Sequence, residues 1–149
     1  MNRRTMLFGM SALATTGVAF GQRPHAHAAD EASDRLRALL EQCAHDCAEC
    51  MTECEACYRH CSGHVLHGMK AHAVCMQICN DCAEICAVAS RICARSGPLA
   101  KTICEVCIEA CNACAKECEK FPDQDQMVRC AERCRTCAKT CQELVTALA

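Results

Sequence analysis

The sequence has no tryptophan, one tyrosine and three phenylalanines in 149 residues. Phe8 and Phe20 fall in an N-terminal leader, so only Tyr58 and Phe121 remain to build with. That scarcity excludes a conventional aromatic–aliphatic core. There is no basic block and no interleaving of basic with aromatic residues, so nothing points to nucleic acid. The formal net charge is −2, with both signs mixed along the chain. The apolar run Leu7 to Phe20 is too short and too weakly hydrophobic to cross a bilayer comfortably, which takes about 20 residues. What the chain has in excess is cysteine, 20 residues of it, enough to fill much of any interior.

The first residues carry an export signal. Arg3 and Arg4 form a twin arginine in NRRTMLF, the apolar stretch follows, and Ala26-His27-Ala28 offers an A-x-A cleavage motif. The segment 1–28 is expected to be removed, leaving 29–149 as the mature domain without a membrane anchor. Its destination is the periplasm or an equivalent extracytoplasmic space. The leader has no cysteine for lipid attachment. The twin-arginine route generally carries proteins that have already folded, often with a cofactor in place.

The cysteines fall into four rows. Cys43, Cys47, Cys50, Cys54, Cys57 and Cys61 form the first; Cys75, Cys79, Cys82, Cys86 and Cys93 the second, with Ala89 in the missing slot. Cys104, Cys107, Cys111, Cys114 and Cys118 form the third, and Cys130, Cys134, Cys137 and Cys141 the fourth. Gaps alternating between three and four residues are the seam of a packed helix, whereas a strand would need gaps of two. CSGHVLHG (61–68), Ser96-Gly97-Pro98 and FPDQDQ (121–126) separate the rows. Gly stops a helix and Pro suits a helix start. Helices are therefore expected at about 31–62, 69–95, 98–120 and 125–147. Short linkers make neighbours antiparallel. The fold class is all-α: an up-down-up-down antiparallel four-helix bundle with a cysteine-filled core.

Leu36 and Leu40 precede the first row in register, and Leu144 and Leu148 follow the last, so one end should be an apolar plug near Ala89 and Ala100. Pairing the rows from the opposite end predicts the layers Cys61/Cys75/Cys118/Cys130, Cys57/Cys79/Cys114/Cys134, Cys54/Cys82/Cys111/Cys137 and Cys50/Cys86/Cys107/Cys141. Two more follow, Cys47/Ala89/Cys104/Leu144 and Cys43/Cys93/Ala100/Leu148. They make a column of roughly 30 Å at about 1.5 Å rise per residue. Ile78, Ile85 and Ile92 widen the apolar face of the second helix, to pack a neighbour or a subunit.

Thiols in such a column favour metal over the alternatives. Exported proteins do use disulfides. Neighbours three or four apart on a helix, however, hold their Cβ atoms about 5–6 Å apart, beyond the roughly 3.5–4.5 Å a disulfide needs. Cysteine as a mere small hydrophobe would not recur in register so many times. Zinc prefers four thiolates per ion, each such site carrying −2, and a dry column of them is costly. Iron–sulfur motifs usually sit on loops. Cu(I) is soft, monovalent and satisfied by two or three thiolates. With one ion per bridging thiolate the column is neutral whatever its length, so charge balance predicts on the order of twenty copper ions. That capacity is storage.

The repeated CxxxCxxC rows, the four helices and the twin-arginine leader together resemble the bacterial copper storage proteins, in particular their exported branch, over about residues 30–149. The resemblance implies a four-helix bundle filled with Cu(I)–thiolate sites, commonly a homotetramer, with the ligand role on the twenty cysteines. Exported members have fewer cysteines than many cytosolic ones, so this chain's capacity is not copied from a relative. Copper donor and acceptor proteins are the partners it implies, in supply of copper enzymes or in detoxification.

The end opposite the plug gathers His60, His64, His67, Met69, His72, Met76 and Met127. Neutral thioether and imidazole bind Cu(I) more weakly than thiolate and suit a relay. Met69, Met76, Met127, His64 and His72 are the candidate port ligands, with packing and solvation the bland alternatives. His45 faces outward, and Met51 reads as core. His25 and His27 leave with the leader. The competing functions are a zinc or general metal sink and a thiol oxidoreductase. The latter would need one accessible CxxC of low pKa, usually at a helix N-terminus. Here CxxC recurs mid-helix with no privileged copy, and catalysis is not expected.

Overall fold

A computed structural model describes residues 24–149, with side chains from Asp30 onward. Arg3-Arg4 and the apolar stretch of the leader lie outside the described residues, and Ala26-His27-Ala28 lies in the first turns of the first helix. The helices are α1 (Pro24–Leu66), α2 (Ala73–Ala94), α3 (Ala100–Cys118) and α4 (Asp125–Ala147). A single 3-10 turn, Lys70–His72, precedes α2. Each helix packs on its neighbours around a square, α1 on α2 and α4, α3 on α2 and α4. The expected four-helix bundle is the observed one.

Helix ends depart from the sequence reading where turn chemistry intervenes. α1 runs past 62 because the chain stays helical until Gly68, which takes φ 86° and lets Met69 N–H reach back to His64 O at 3.0 Å. α2 starts at Ala73 rather than 69, since the 3-10 turn comes first. α3 is shorter at both ends than 98–120. At the α2 terminus it is Ser96, not Gly97, that turns left-handed, at φ 51°. Gly97 donates to Ile92 O at 2.9 Å. It matters for closeness: a Cβ there would sit 3.2 Å from the Ile92 Cγ2.

The rows of cysteine face one another, and no seam cysteine reaches solvent by more than 1%. Small residues flank them: Ala83, Ala87, Ala115, Ala131 and Ala138 are all buried and let the helices approach. Leu40, Ala100 and Leu144 close one end, with Leu36 and Leu148 half-buried against them. Ile92 is buried, while Ile78 and Ile85 are partly covered.

The predicted layering needs correction. Pairing of α1 with α2 holds, as in Cys43 with Cys93. The predicted α2–α3 pairs also meet, as Cys79 with Cys114 and Cys86 with Cys107, but against α1 the α3 row sits one seam step, and the α4 row one to two steps, from the predicted register. Cys57 meets Cys118, not Cys114, and Cys54 meets Cys130 and Cys134, not Cys137. Cys43 meets Cys141, displacing Leu148 from that layer. The layer given to Cys130 is filled by Met127, which lies against Cys57 and Cys61. For α4 one step follows from its seam beginning at Met127, so aligning only cysteines starts it late. Ionic contacts on the flank agree with the observed register: Arg133 reaches Glu49, and Arg129 reaches Glu53 at 3.5 Å.

A buried carboxylate lies on the same interface. Asp46, 6% exposed, accepts from Thr140 Oγ1 at 2.6 Å and from Gln42 Nε2 at 3.1 Å. Buried polar pairs of this kind are a known means of fixing helix register. Replacing Thr140 with Val removes one donor from a carboxylate already out of water. The expected cost is about 1–3 kcal/mol in chemical denaturation of the apo protein. Thr136→Val, which loses only an exposed bond to its own helix, should cost almost nothing.

Candidate metal centre

The column is built from sulfur contacts both along and across helices. Along α1, Cys43 and Cys47 are 4.0 Å apart, as are Cys50 and Cys54. Across helices, Cys75 and Cys118 approach to 3.5 Å, Cys86 and Cys107 to 3.6 Å, and Cys47 and Cys137 to 3.6 Å. These separations are far beyond a sulfur–sulfur bond of about 2.05 Å, and all twenty thiols are free. Two metal–sulfur bonds of about 2.3 Å, the zinc value, span about 3.8 Å at a tetrahedral angle and about 4.6 Å when linear. The thiols therefore stand close to bridging distance for an ion placed between them.

Groups of four thiols lie within 4.8 Å of one another, among them Cys47/Cys107/Cys137/Cys141, Cys54/Cys114/Cys130/Cys134 and Cys57/Cys75/Cys79/Cys118. The groups overlap: Cys50, Cys82 and Cys86 join Cys111, while Cys50 and Cys82 also join Cys54 and Cys134. Four of the groups share no cysteine, while Cys50/Cys54/Cys82/Cys134 draws its members from two of them, so thiolates bridge only if ions also occupy the gaps between groups. Closed, isolated tetrahedral sites would need each cysteine to belong to one ion only. A continuous ladder of bridging thiolates is the chemistry of a soft monovalent ion.

Thiol–thiol hydrogen bonds divide the column into acceptors and donors. Cys43, bonded to Cys104 above all and then to Cys141, is lowered to about 6. Cys75, bonded chiefly to Cys118, is lowered to about 5. Cys93 is pushed up to about 12, first by its bond to Cys104. Burial raises all three.

The expected port divides by depth. Met127 is not at the rim: none of it is exposed, and its Sδ lies 3.5 Å from Cys57 Sγ and 3.7 Å from Cys61 Sγ. Its seam spacing ahead of Cys130 was the available signal. Met69 is 43% exposed, and Met76 is half-buried against the core. His64 and His72 come together, with ring centroids 4.3 Å apart. His64 is held below the usual imidazole range by lost hydration first, then by neighbouring His72 and His60. His67 is exposed, His45 is exposed beside Asp46 and Glu49, and Met51 packs partly buried against the core.

Sequence reasoning underrated His60 and missed Gln124. His60 lies one helical turn before His64, with ring centroids 4.5 Å apart. Gln124 Oε1 accepts from His60 Nε2 at 2.9 Å and from His72 Nε2 at 3.1 Å. Gln124 is the N-cap of α4, yet its side chain makes no cap bond. The chain position of Gln124, one seam step before Met127, could have flagged it.

An all-α bundle whose core is a shared ladder of thiols defines a protein for binding many soft metal ions. A family described as copper storage protein matches residues 36–146, and the chain belongs to the copper storage protein family. Among solved structures it is similar to the Cu(I)-bound copper storage protein BsCsp3, at 34% identity and a TM-score of 0.64, covering 72% of this chain and 98% of that one. The apo form of copper storage protein 3 from Bacillus subtilis matches at 34% identity and a TM-score of 0.61, covering 69% and 95%. A cytosolic copper storage protein from Streptomyces lividans, solved with five coppers, matches at 25% identity and a TM-score of 0.70, covering 76% and 97%. No curated protein matches the chain.

Burial of the whole thiol set makes a direct expectation. A bulky aromatic disulfide reagent should react slowly with the folded, reduced apo protein and rapidly with all twenty thiols once it is denatured. Fast titration of several thiols in the native state would show that the column is open.

Proposed function

We propose that this protein is an exported store for Cu(I), holding about one ion per cysteine. The observation that carries this reading is the unbroken run of sulfur contacts at 3.5–4.0 Å along and across all four helices. A continuous ladder favours bridging thiolates, and bridging favours an ion whose charge balances one thiolate each. The ligands are Cys43, Cys47, Cys50, Cys54, Cys57, Cys61, Cys75, Cys79, Cys82, Cys86 and Cys93 from the first half of the chain. Cys104, Cys107, Cys111, Cys114, Cys118, Cys130, Cys134, Cys137 and Cys141 complete the set from the second. Capacity is on the order of twenty ions, set by charge neutrality. Copper bound to BsCsp3 and to the Streptomyces protein supports the choice of metal.

Met69, Met76, His64 and His72 receive copper at the mouth, and Met127 passes it to Cys57 and Cys61. Neutral donors suit that task because they release an ion that thiolate would hold. The stored copper supplies copper enzymes, limits toxicity, or both, through donor and acceptor proteins, and the assembly is a homotetramer as family resemblance suggests. The protein works by binding rather than catalysis. A thiol oxidoreductase needs an accessible thiol, and burial of the seam weighs against one. Export rests on Arg3-Arg4 and the stretch that follows, which precede the matched region 36–146. In this the chain departs from the relative described as cytosolic.

Two measurements test the proposal. Anaerobic Cu(I) titration of the reduced, leader-free protein against a competing chelator should saturate near twenty ions per chain, with about one proton released per thiol that was protonated. Saturation at one or two ions would overturn the storage reading. Replacing Arg3 and Arg4 together with Lys should leave the chain unprocessed in the cytoplasm, and unchanged export would remove the twin-arginine route.

A further inference from the structure

The four seams do not stop at their last sulfur. Three residues beyond it, one seam step, Cys61 is followed by His64, Cys75 is preceded by His72, Cys118 is followed by Phe121 and Met127 is preceded by Gln124. These four residues form one more layer, and it closes the column. The His72 ring lies between those of His64 and Phe121, at centroid distances of 4.3 Å and 4.2 Å and interplanar angles of 13° and 22°. Gln124 holds His72 from a third side at 3.1 Å. His72 is left only 4% exposed, and Met127 beneath has no exposed surface. The opposite end is sealed by Leu40 and Leu144. With every seam cysteine buried, an ion reaches the sulfur only if something moves.

The lid end is where movement costs least. Leu40 and Leu144 sit within long helices, whereas Phe121 and Gln124 belong to the connection between α3 and α4, and His72 ends a 3-10 turn. His72 Nδ1 is buried without a hydrogen-bond partner. An unsatisfied buried acceptor or donor penalises the closed state and is relieved when water reaches it. Three of the four lid residues carry atoms that can touch a passing ion. Phe121 carries none; its contribution is cover and stacking.

We propose that the His64/His72/Phe121/Gln124 layer is a gate on copper exchange, and that Phe121 is the shutter that sets its rate. The proposal rests on the Cu(I) storage reading of the same column. The gate changes how fast ions pass, in both directions, without changing how many are held or how tightly. That separates it from a ligand, whose loss alters affinity, and from a structural residue, whose loss alters capacity.

The experiment is anaerobic stopped-flow transfer of Cu(I) to and from a chromophoric chelator, alongside equilibrium titration. The full chain is compared with Phe121→Ala and Phe121→Trp. Phe121→Ala should raise uptake and release rates together by roughly tenfold, the scale of one lost aromatic stacking contact, at unchanged stoichiometry and affinity. Phe121→Trp, a larger cover, should slow both, and it carries the test if the alanine variant does not fold. Wild-type rates at full stoichiometry in the folded variants would overturn the gate while leaving storage intact. A lowered capacity or affinity would overturn it by making Phe121 structural. One or two ions bound by the unmodified protein would overturn storage itself, and the gate with it.

Discussion

Charge neutrality in a dry core is the constraint on which the rest of this structure depends. Twenty sulfur atoms lie out of water, and a buried uncompensated thiolate is costly. In the metal-free column the thiols hydrogen-bond to one another, as Cys43 does with Cys104 and Cys141 and Cys75 with Cys118. A column loaded with one monovalent ion per thiolate satisfies the constraint. Divalent ions in four-thiolate sites would not. The seams accordingly carry no carboxylate, and the one buried acid among the described residues, Asp46, lies beside the column with Thr140 and Gln42 as donors.

The same constraint explains the small side chains. A core of leucine would hold the helices apart and leave sulfur atoms out of reach of one another. Cysteine in the seam with alanine beside it brings sulfurs on different helices to 3.5–4.0 Å. An ion inserted at that spacing asks for little backbone movement. Within the seam, leucine is placed at one end, as Leu40 and Leu144, where nothing needs to pass. The other end is finished with imidazole, amide and a single phenyl ring, groups that cover without bonding as strongly as thiolate does.

The flanks hold the layers in place. Against a sulfur ladder of nearly uniform spacing, helices could slide by one step and still find thiols opposite thiols. Degenerate seams specify register weakly, so specification moves outward, to Glu49 with Arg133, Glu53 with Arg129, and Asp46 with Thr140. Exposed pairs contribute little energy, but the choice between two registers of similar packing needs little.

Periodicity alone determined the helices, the burial of every cysteine, the apolar plug and the class of metal, because spacing fixes which face a residue occupies and ligand softness fixes which ion it prefers. The family was legible for the same reason: its repeated rows are the function. Register was not legible. Aligning cysteine with cysteine ignored that Met127 is the first seam residue of α4, and a uniform ladder gave no internal signal against the slip. Nor did the sequence show that the mouth is shut. His64, His72, Phe121 and Gln124 come from separate segments of the chain, and only folding stacks them into one layer over the sulfur.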